Sequence, residues 1–450
     1  MKSFLTIFCL LFSAQIGRAA EFLPPRPIIQ PLANGLKLYL LPDRELPTFE
    51  AVLTIPAGRL YDPKGKEGTA LLTADLLRSG GTVSKTADQV DHLFDFAGAS
   101  LNFETAHEYQ AVSLHCLRKD REKLLSLLFE IIAEPRFDKD RFSISKARVK
   151  EGILRQDEDP LERALREFQI LVYGAGNRWG AKPTLQSIKK IERDGLLEFH
   201  GRFFNPQGSF LAVSGDFDPK EIVRELERSS KIWINRKSQK IEPEPIREEF
   251  NPKTVLLPEA LSQTTLILGH LGEKRTNPDK FPLIVMNYIL GGSSAMTSRL
   301  GEEIRSKLGK AYLVWSDFGF GKDRGLFKII AQTENTNVPL VLEKIQEAIV
   351  RMASDPQITD EELKRAKRSI VTSLIFQHEN RFQIVKNRAL FDFLGYPPDY
   401  LEIYKREIER VTKKEIVRVS KKYLHPEGLK VLIVGPKNSS IRIDKIRKSL

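Results

Sequence analysis

Two stretches of this 450-residue chain carry one pattern twice. Residues 134–150 read EPRFDKDRFSISKARVK and residues 355–371 read DPQITDEELKRAKRSIV, so Pro135 answers Pro356 and Lys146 answers Lys367 at a constant offset of 221 positions. A repeat this long is beyond the roughly 20–50 residues of a solenoid unit and marks a duplicated domain. Between the copies lies Asn235–Asn251, NRKSQKIEPEPIREEFN, a polar stretch with two prolines and no apolar period. The chain therefore divides into halves at 21–235 and 252–450, joined by a linker at 236–251.

Each half alternates strand and helix signals. Asn34-Gly35 is a hairpin-type turn ahead of the strand Leu36–Leu41, and Phe49, Ala51, Leu53 and Ile55 alternate with Glu50, Val52 and Thr54. Gly68–Ser79 is apolar almost all round, as a buried helix is. Thr86-x-x-Gln89 is a capping box opening a helix that Gly98 ends. Strands at Leu101–Phe103 and Tyr109–Leu117 precede helices near 120–133 and 138–156. The second half repeats the scheme with strand Thr264–Gly269, helices Phe281–Leu290 and Thr297–Lys307, and strands Tyr312–Phe318 and Leu326–Gln332. The expected fold class is α+β, two homologous halves of antiparallel sheet backed by helices.

Residues 1–19 read as a secretory leader: Lys2, an apolar run Phe4–Phe12, and Gly17-x-Ala19 as a small-residue cleavage site, with no lipobox around Cys9. No later stretch is long and apolar enough for a membrane span. With Cys9 in the leader, Cys116 is the remaining thiol, read as a small buried hydrophobe, and no internal disulfide can form. A bacterial periplasm is the expected compartment. The net charge of +12 is spread along the chain without interleaved aromatics, which argues for a solvated basic surface and against a nucleic-acid site.

Ala57–Thr82 reads AGRLYDPKGKEGTALLTADLLRSGGT. With Gly68, Ala70, Gly80 and Thr82 as its frame, this segment resembles the metal-binding stretch of the insulinase/pitrilysin-type zinc peptidases, whose pattern is Gly-x-Ala-His-x-x-Glu-His. Phe203-Phe204-Asn205-Pro206 with LAVSGDF at 211–217, and Gly395-Tyr396-Pro397 with LKVLIVG at 429–435, extend the resemblance along nearly the whole chain. At the three chemical positions stand Leu71, Ala74 and Asp75. Leucine and alanine have no lone pair for zinc and no proton acceptor for its water. The resemblance places a third metal-ligand position at Glu151. Asp75 and Glu151 are left either as two oxygen ligands suited to a harder cation than zinc or, more simply, as a residual polar pair on two packed helices. The seven histidines supply no His-x-x-His or His-x-x-x-His pair.

Ser294–Ser316, SAMTSRLGEEIRSKLGKAYLVWS, resembles the family's substrate-clamping motif. It implies that Arg305 and Tyr312 hold the scissile carbonyl and stabilise the oxyanion. Read without the resemblance, Arg305 beside Glu302, Glu303 and Lys307 is a solvated helix face. The resemblance also makes Gly98–Glu104 an edge strand that receives extended peptide, with Asn102 at the contact position and Phe103 where a smaller residue is usual. In the two-component branch of the family one subunit carries zinc and its partner the arginine–tyrosine pair. The implied function is a non-catalytic subunit of a heterodimeric periplasmic zinc peptidase, with no cofactor of its own, zinc in a homologous partner subunit, and extended peptide as substrate. The alternative is a peptidase-derived binding or scaffold protein with no proteolytic role. Gly319-x-Gly321-x-x-x-Gly325 lies between two strands and is a hairpin loop, not a dinucleotide site.

Overall fold

The computed structural model describes residues 24–235, 243–247, 250–292 and 297–437. The leader expected at 1–19 and most of the linker lie outside them, as do Ser294–Met296 of the clamp motif.

One sheet contains β1 (Ile28–Pro31), β2 (Lys37–Pro42), β3 (Thr48–Ile55), β4 (Ser100–Thr105), β5 (Gln110–Leu117) and β6 (Phe210–Gly215), in the order β1-β2-β6-β3-β5-β4. The other contains β7 (Lys253–Pro258), β8 (Gln263–Leu271), β10 (Leu313–Phe318), β12 (Leu326–Glu334) and β13 (Lys430–Gly435), in the order β10-β12-β8-β13-β7, with β9 (Glu273–Lys274) and β11 (Phe320–Gly321) as a short parallel pair beside it. The fold is α+β, as expected, but the sheets are not purely antiparallel. β2 pairs parallel with β6, and β7 pairs parallel with β13. Each parallel pair joins an early and a late strand of its sheet, so a long helical excursion separates them, as parallel pairing requires.

The helices of the first half are α1 (Thr69–Ser79), α2 (Ala87–Ala97), α3 (Arg121–Ala133), α4 (Lys139–Arg155), α5 (Pro160–Tyr173), α6 (Leu185–Lys190), α7 (Arg193–Phe203) and α8 (Pro219–Ser230). In the second half they are α9 (Lys280–Asn287), α10 (Val338–Ser354), α11 (Asp360–Phe376), α12 (Arg381–Phe393), α13 (Tyr400–Arg410) and α14 (Lys413–Tyr423). The Thr86–Gln89 capping box forms as read, and Gly98 closes α2 at φ 57°. α9 widens into a π-helical turn at Tyr288–Gly292, where one unbroken helix to Leu290 was expected. In the glycine-rich hairpin, Gly325 passes so close to Gly319 that a Cβ would lie 2.0 Å from the Gly319 carbonyl oxygen. Close backbone approach explains that glycine.

The repeat has a physical purpose. The Lys146 ammonium donates to the carbonyls of Lys189 and Ile191 at 3.0 and 2.5 Å, at the end of α6. Lys367 donates to the Glu409 carbonyl at 2.8 Å, at the end of α13. Each half thus uses the same lysine to satisfy the free carbonyls of a helix C-terminus.

The helices do not all stay with their own half. α5 lays Ala164, Phe168 and Val172 on Ile267, Ile330, Leu432 and Val434 of the second sheet. α12 lays Ile384, Val385 and Ala389 on Tyr39, Leu41 and Ala212 of the first. Pro160 and Arg381, the first residues of these helices, stand at the offset of the repeat. Each half therefore covers one face of the other's sheet. Asp392 of α12 is anchored by Lys37 and Tyr39 of β2, and Arg163 of α5 by Glu259.

Two histidines, His270 in the core and the partly buried His107, are expected to add acid sensitivity to this fold. His270, 1% exposed, has its Nδ1 2.7 Å from the Leu271 carbonyl and its Nε2 facing the His425 amide at 3.3 Å. With both nitrogens engaged, the neutral tautomer fits and the cation does not. Burial pushes its pKa down to about 3. Burial and the neighbouring Arg59 push His107 down to about 4. Both folded values lie below the unfolded one, so unfolded chains bind these protons first and the histidines' contribution to stability falls as pH drops below about 6.5, while Asp62, raised by burial to about 7, contributes in the opposite direction. Each histidine is expected to remove on the order of 2 kcal/mol by pH 5. Urea midpoints measured between pH 7 and 5 check this: His270→Gln should flatten the slope, and a slope parallel to wild type would refute the assignment.

Candidate functional site

α1 is held in place by its N-terminal end. Buried Asp62 accepts from the Gly68 and Ala70 amides, both at 2.7 Å, which satisfies two donors that a helix start leaves free. Gly68 has φ 105°, and a Cβ there would lie 2.6 Å from Ile188 Cδ1, which accounts for this frame glycine. Gly81, the additional glycine after Gly80, has φ 72° and passes 2.7 Å from the Ala87 amide by the same measure. Around this fixed helix the chemical positions are altered. Leu71 is 37% exposed and Ala74 is buried.

Asp75 and Glu151 lie on helices that pack together, but they do not form a pair. Asp75 Oδ1 takes Arg148 Nη1 at 3.0 Å, and Glu151 takes Arg155 at 2.7 Å, one turn along its own helix. The residual polar pair expected from the sequence is thus two separate ion pairs, because α4 carries an arginine one turn to either side of Glu151. Among the described residues no group of three or more His, Cys, Asp or Glu side chains could hold a metal ion. Leucine, alanine and two arginine-bound carboxylates do not make the donor set that zinc takes. The arginines were missed in the sequence, although their i−3 and i+4 spacing from Glu151 was a readable signal.

β4 is an edge strand, as expected, and packs beside α1. Asn102 is exposed, whereas Leu101 and Phe103 turn to the opposite face and pack on the first core. The bulk of Phe103 therefore lies on the face opposite Asn102. Arg78 Nε donates to the Leu101 carbonyl at 3.0 Å and also pairs with Asp91, tying the edge to α1 and α2.

Arg305 and Tyr312 occupy the other half. Arg305 lies on a π-helical segment, Gly301–Lys307, with the Leu308 amide donating to the Glu303 carbonyl at 3.1 Å. Helical winding begins at Arg299, so the helix expected from Thr297 is shorter and wider than read. Such wide turns are frequent at functional sites. Glu302 pairs with Lys307 and Glu303 with Arg351, at 2.9 Å each. Arg305 is exposed and makes no ion pair among the described residues. Tyr312 precedes β10, its amide bonded to the Gln332 carbonyl at 3.0 Å and its residue 74% exposed. Among the described residues no hydrogen bond joins either side chain to Leu71, Asp75, Glu151 or Asn102. The structure gives two separate groups: one on α1, α4 and β4, the other at the start of β10.

The model of the insulinase family of peptidases, M16, matches residues 41–171, and the model of the M16 inactive domain matches residues 190–370. The chain belongs to the insulinase (M16) peptidase family. A Rickettsia bellii protein described as an uncharacterized zinc protease is 28% identical over 389 residues, covering 83% of this chain and 90% of its own. A Pseudomonas fluorescens chain described as a peptidase M16 inactive domain superposes with a TM-score of 0.82 at 26% identity, over 92% of this chain and 98% of its own. A Helicobacter pylori protease shows the same fold at a TM-score of 0.82 and 18% identity, over 92% of this chain and all of its own. Within this M16 framework the chain is peptidase-derived.

Cys116 is buried, and burial pushes its thiol up to about 12, so it is an inert core residue, as read. Among the described residues no helix is long and apolar enough to cross a membrane.

Proposed function

We propose that this chain is the non-catalytic subunit of a two-component zinc peptidase. A homologous partner supplies zinc and the general base, and this chain supplies Arg305, Tyr312 and an edge strand, β4, for extended peptide. The observation that carries the reading is the split character of the molecule. Zinc donors are replaced by Leu71, Ala74 and an arginine-bound Asp75, while Arg305 and Tyr312 stand exposed and outside the ion pairs around them. A guanidinium and a phenol kept out of local pairing are donors available to another molecule's carbonyl. The leader read at residues 1–19 supports a periplasmic location.

The purified chain alone is expected to carry no stoichiometric zinc and to cleave no peptide. Elemental analysis beside a peptide-cleavage assay checks this, and one zinc per chain with chelator-sensitive hydrolysis would overturn it. Native co-purification tests the pairing. Recovery of a zinc-bearing homologue, with peptide cleavage by the complex, supports the reading. Recovery of the chain only as a homodimer, with no peptidase, turns it toward a scaffold.

A further inference from the structure

Beside the positions that the family resemblance marks for a metal, this chain presents a cation, Arg148, held by Asp75. Ser79 lies 3.4 Å from Ser145 and Asp75 3.0 Å from Arg148, so α1 and α4 run antiparallel. One turn back on α1 stands exposed Leu71, and one turn further along α4 stands Glu151. Arg148 thus reaches across from α4 to Asp75 of α1. Asp75 holds one of its five N–H donors, Glu151 is engaged by Arg155, and the Arg148 side chain is 57% exposed. Leu71, Ile144 and Leu154 add exposed apolar surface on the same two helices. β4, with its open edge, lies against α1.

We infer that Arg148, oriented by Asp75, is a binding residue that donates to a backbone carbonyl of an extended peptide lying along β4. This rests on the peptide-binding reading above. Chemically, a guanidinium can hold a carbonyl oxygen through charge-assisted hydrogen bonds. It has no open coordination position, so it activates no water. The degenerate centre thereby becomes a place that grips peptide and leaves it intact. Asp75 acts as a positioning residue, since anchoring one end of the guanidinium reduces the freedom lost when peptide binds.

The test is fluorescence anisotropy with the mature chain and a labelled, disordered 20-residue peptide of Leu, Val, Ser and Thr. Arg148→Met is expected to weaken binding by about ten- to a hundredfold. Arg148→Lys, which keeps the charge and loses the planar fork, should recover only part of it. Asp75→Asn should weaken binding less than Arg148→Met. Melting temperatures should stay at the wild-type value, because an exposed pair contributes little to stability. Asn102→Pro, which disrupts the edge strand, separates the two ideas. If it abolishes binding while Arg148→Met binds as wild type, the role of Arg148 is refuted and the peptide-binding reading stands. If the wild-type chain binds no peptide, alone or with its partner, both fall.

Discussion

Arg305→Ala and Tyr312→Phe should each lower the turnover of the reconstituted two-subunit complex by roughly a hundredfold to a thousandfold, the usual cost of losing one oxyanion donor. The expectation follows from where these side chains stand. Arg305 is exposed on a π-helical turn whose acidic residues pair elsewhere, with Lys307 and Arg351. Tyr312 is 74% exposed at the mouth of a strand whose backbone is already anchored to Gln332. Neither change removes packing, so folding and subunit pairing should survive, as size-exclusion chromatography would report. The loss should fall on the chemical step, because the donors engage charge that develops there and bind the ground-state carbonyl less strongly. Cleavage must be compared at equal zinc occupancy. A solvated surface arginine would alter the rate negligibly. Wild-type rates from both variants would remove the clamp and with it the main support for a role in proteolysis.

Arg121→Met is the substitution with the largest expected effect on stability. Arg121 on α3 and Glu225 on α8 are buried, at 7% and 4% side-chain exposure. They meet through Nη2–Oε2 at 2.7 Å and Nε–Oε2 at 3.1 Å, and the guanidinium also lies 5.9 Å from the Phe49 ring. Removing the arginine leaves a carboxylate in the core with no cation, a loss of about 3–5 kcal/mol. Replacing both groups at once removes the buried charge along with its partner, so Arg121→Met/Glu225→Leu should regain most of that loss. Urea denaturation of the single and double variants decides the matter. A double variant no more stable than the single one would show that the pair is not the cause.

Much of the architecture could be read from residue order because local rules act locally. Alternation located β3 between Thr48 and Ile55, and the Thr86–Gln89 box set the start of α2. The frame glycines around α1, read only as parts of a motif, stand at close contacts, and Gly68 and Gly81 at positive φ. What escaped reading is of a different kind. The apolar stripe of α5, Ala164 to Val172, says that the helix is buried but not that its partner is a sheet some hundred residues further on. The π-winding at Arg305 depends on hydrogen bonds that no residue type specifies. The separate arginine partners of Asp75 and Glu151 arise because three long side chains share one helix, and rotamers choose among them only after the helices have met. At the candidate site, the exposed Arg305, Tyr312 and Asn102 were legible as positions, while the surroundings that decide their availability were not.

The crossing of α5 and α12 bears on how the molecule is made. During synthesis the first sheet is complete once Gly215 has left the ribosome, yet the apolar side of β2 and β6 stays bare until α12, ending at Phe393, emerges. At roughly 5–20 residues per second that wait is on the order of ten seconds or more. The second sheet, for its part, finds its cover waiting in a helix that was translated before any of its strands. Such long-range contacts slow folding and leave surface exposed in the interval. A nascent chain of this design is unfinished business for most of its own translation, and the last quarter of the polypeptide closes the first half of the protein.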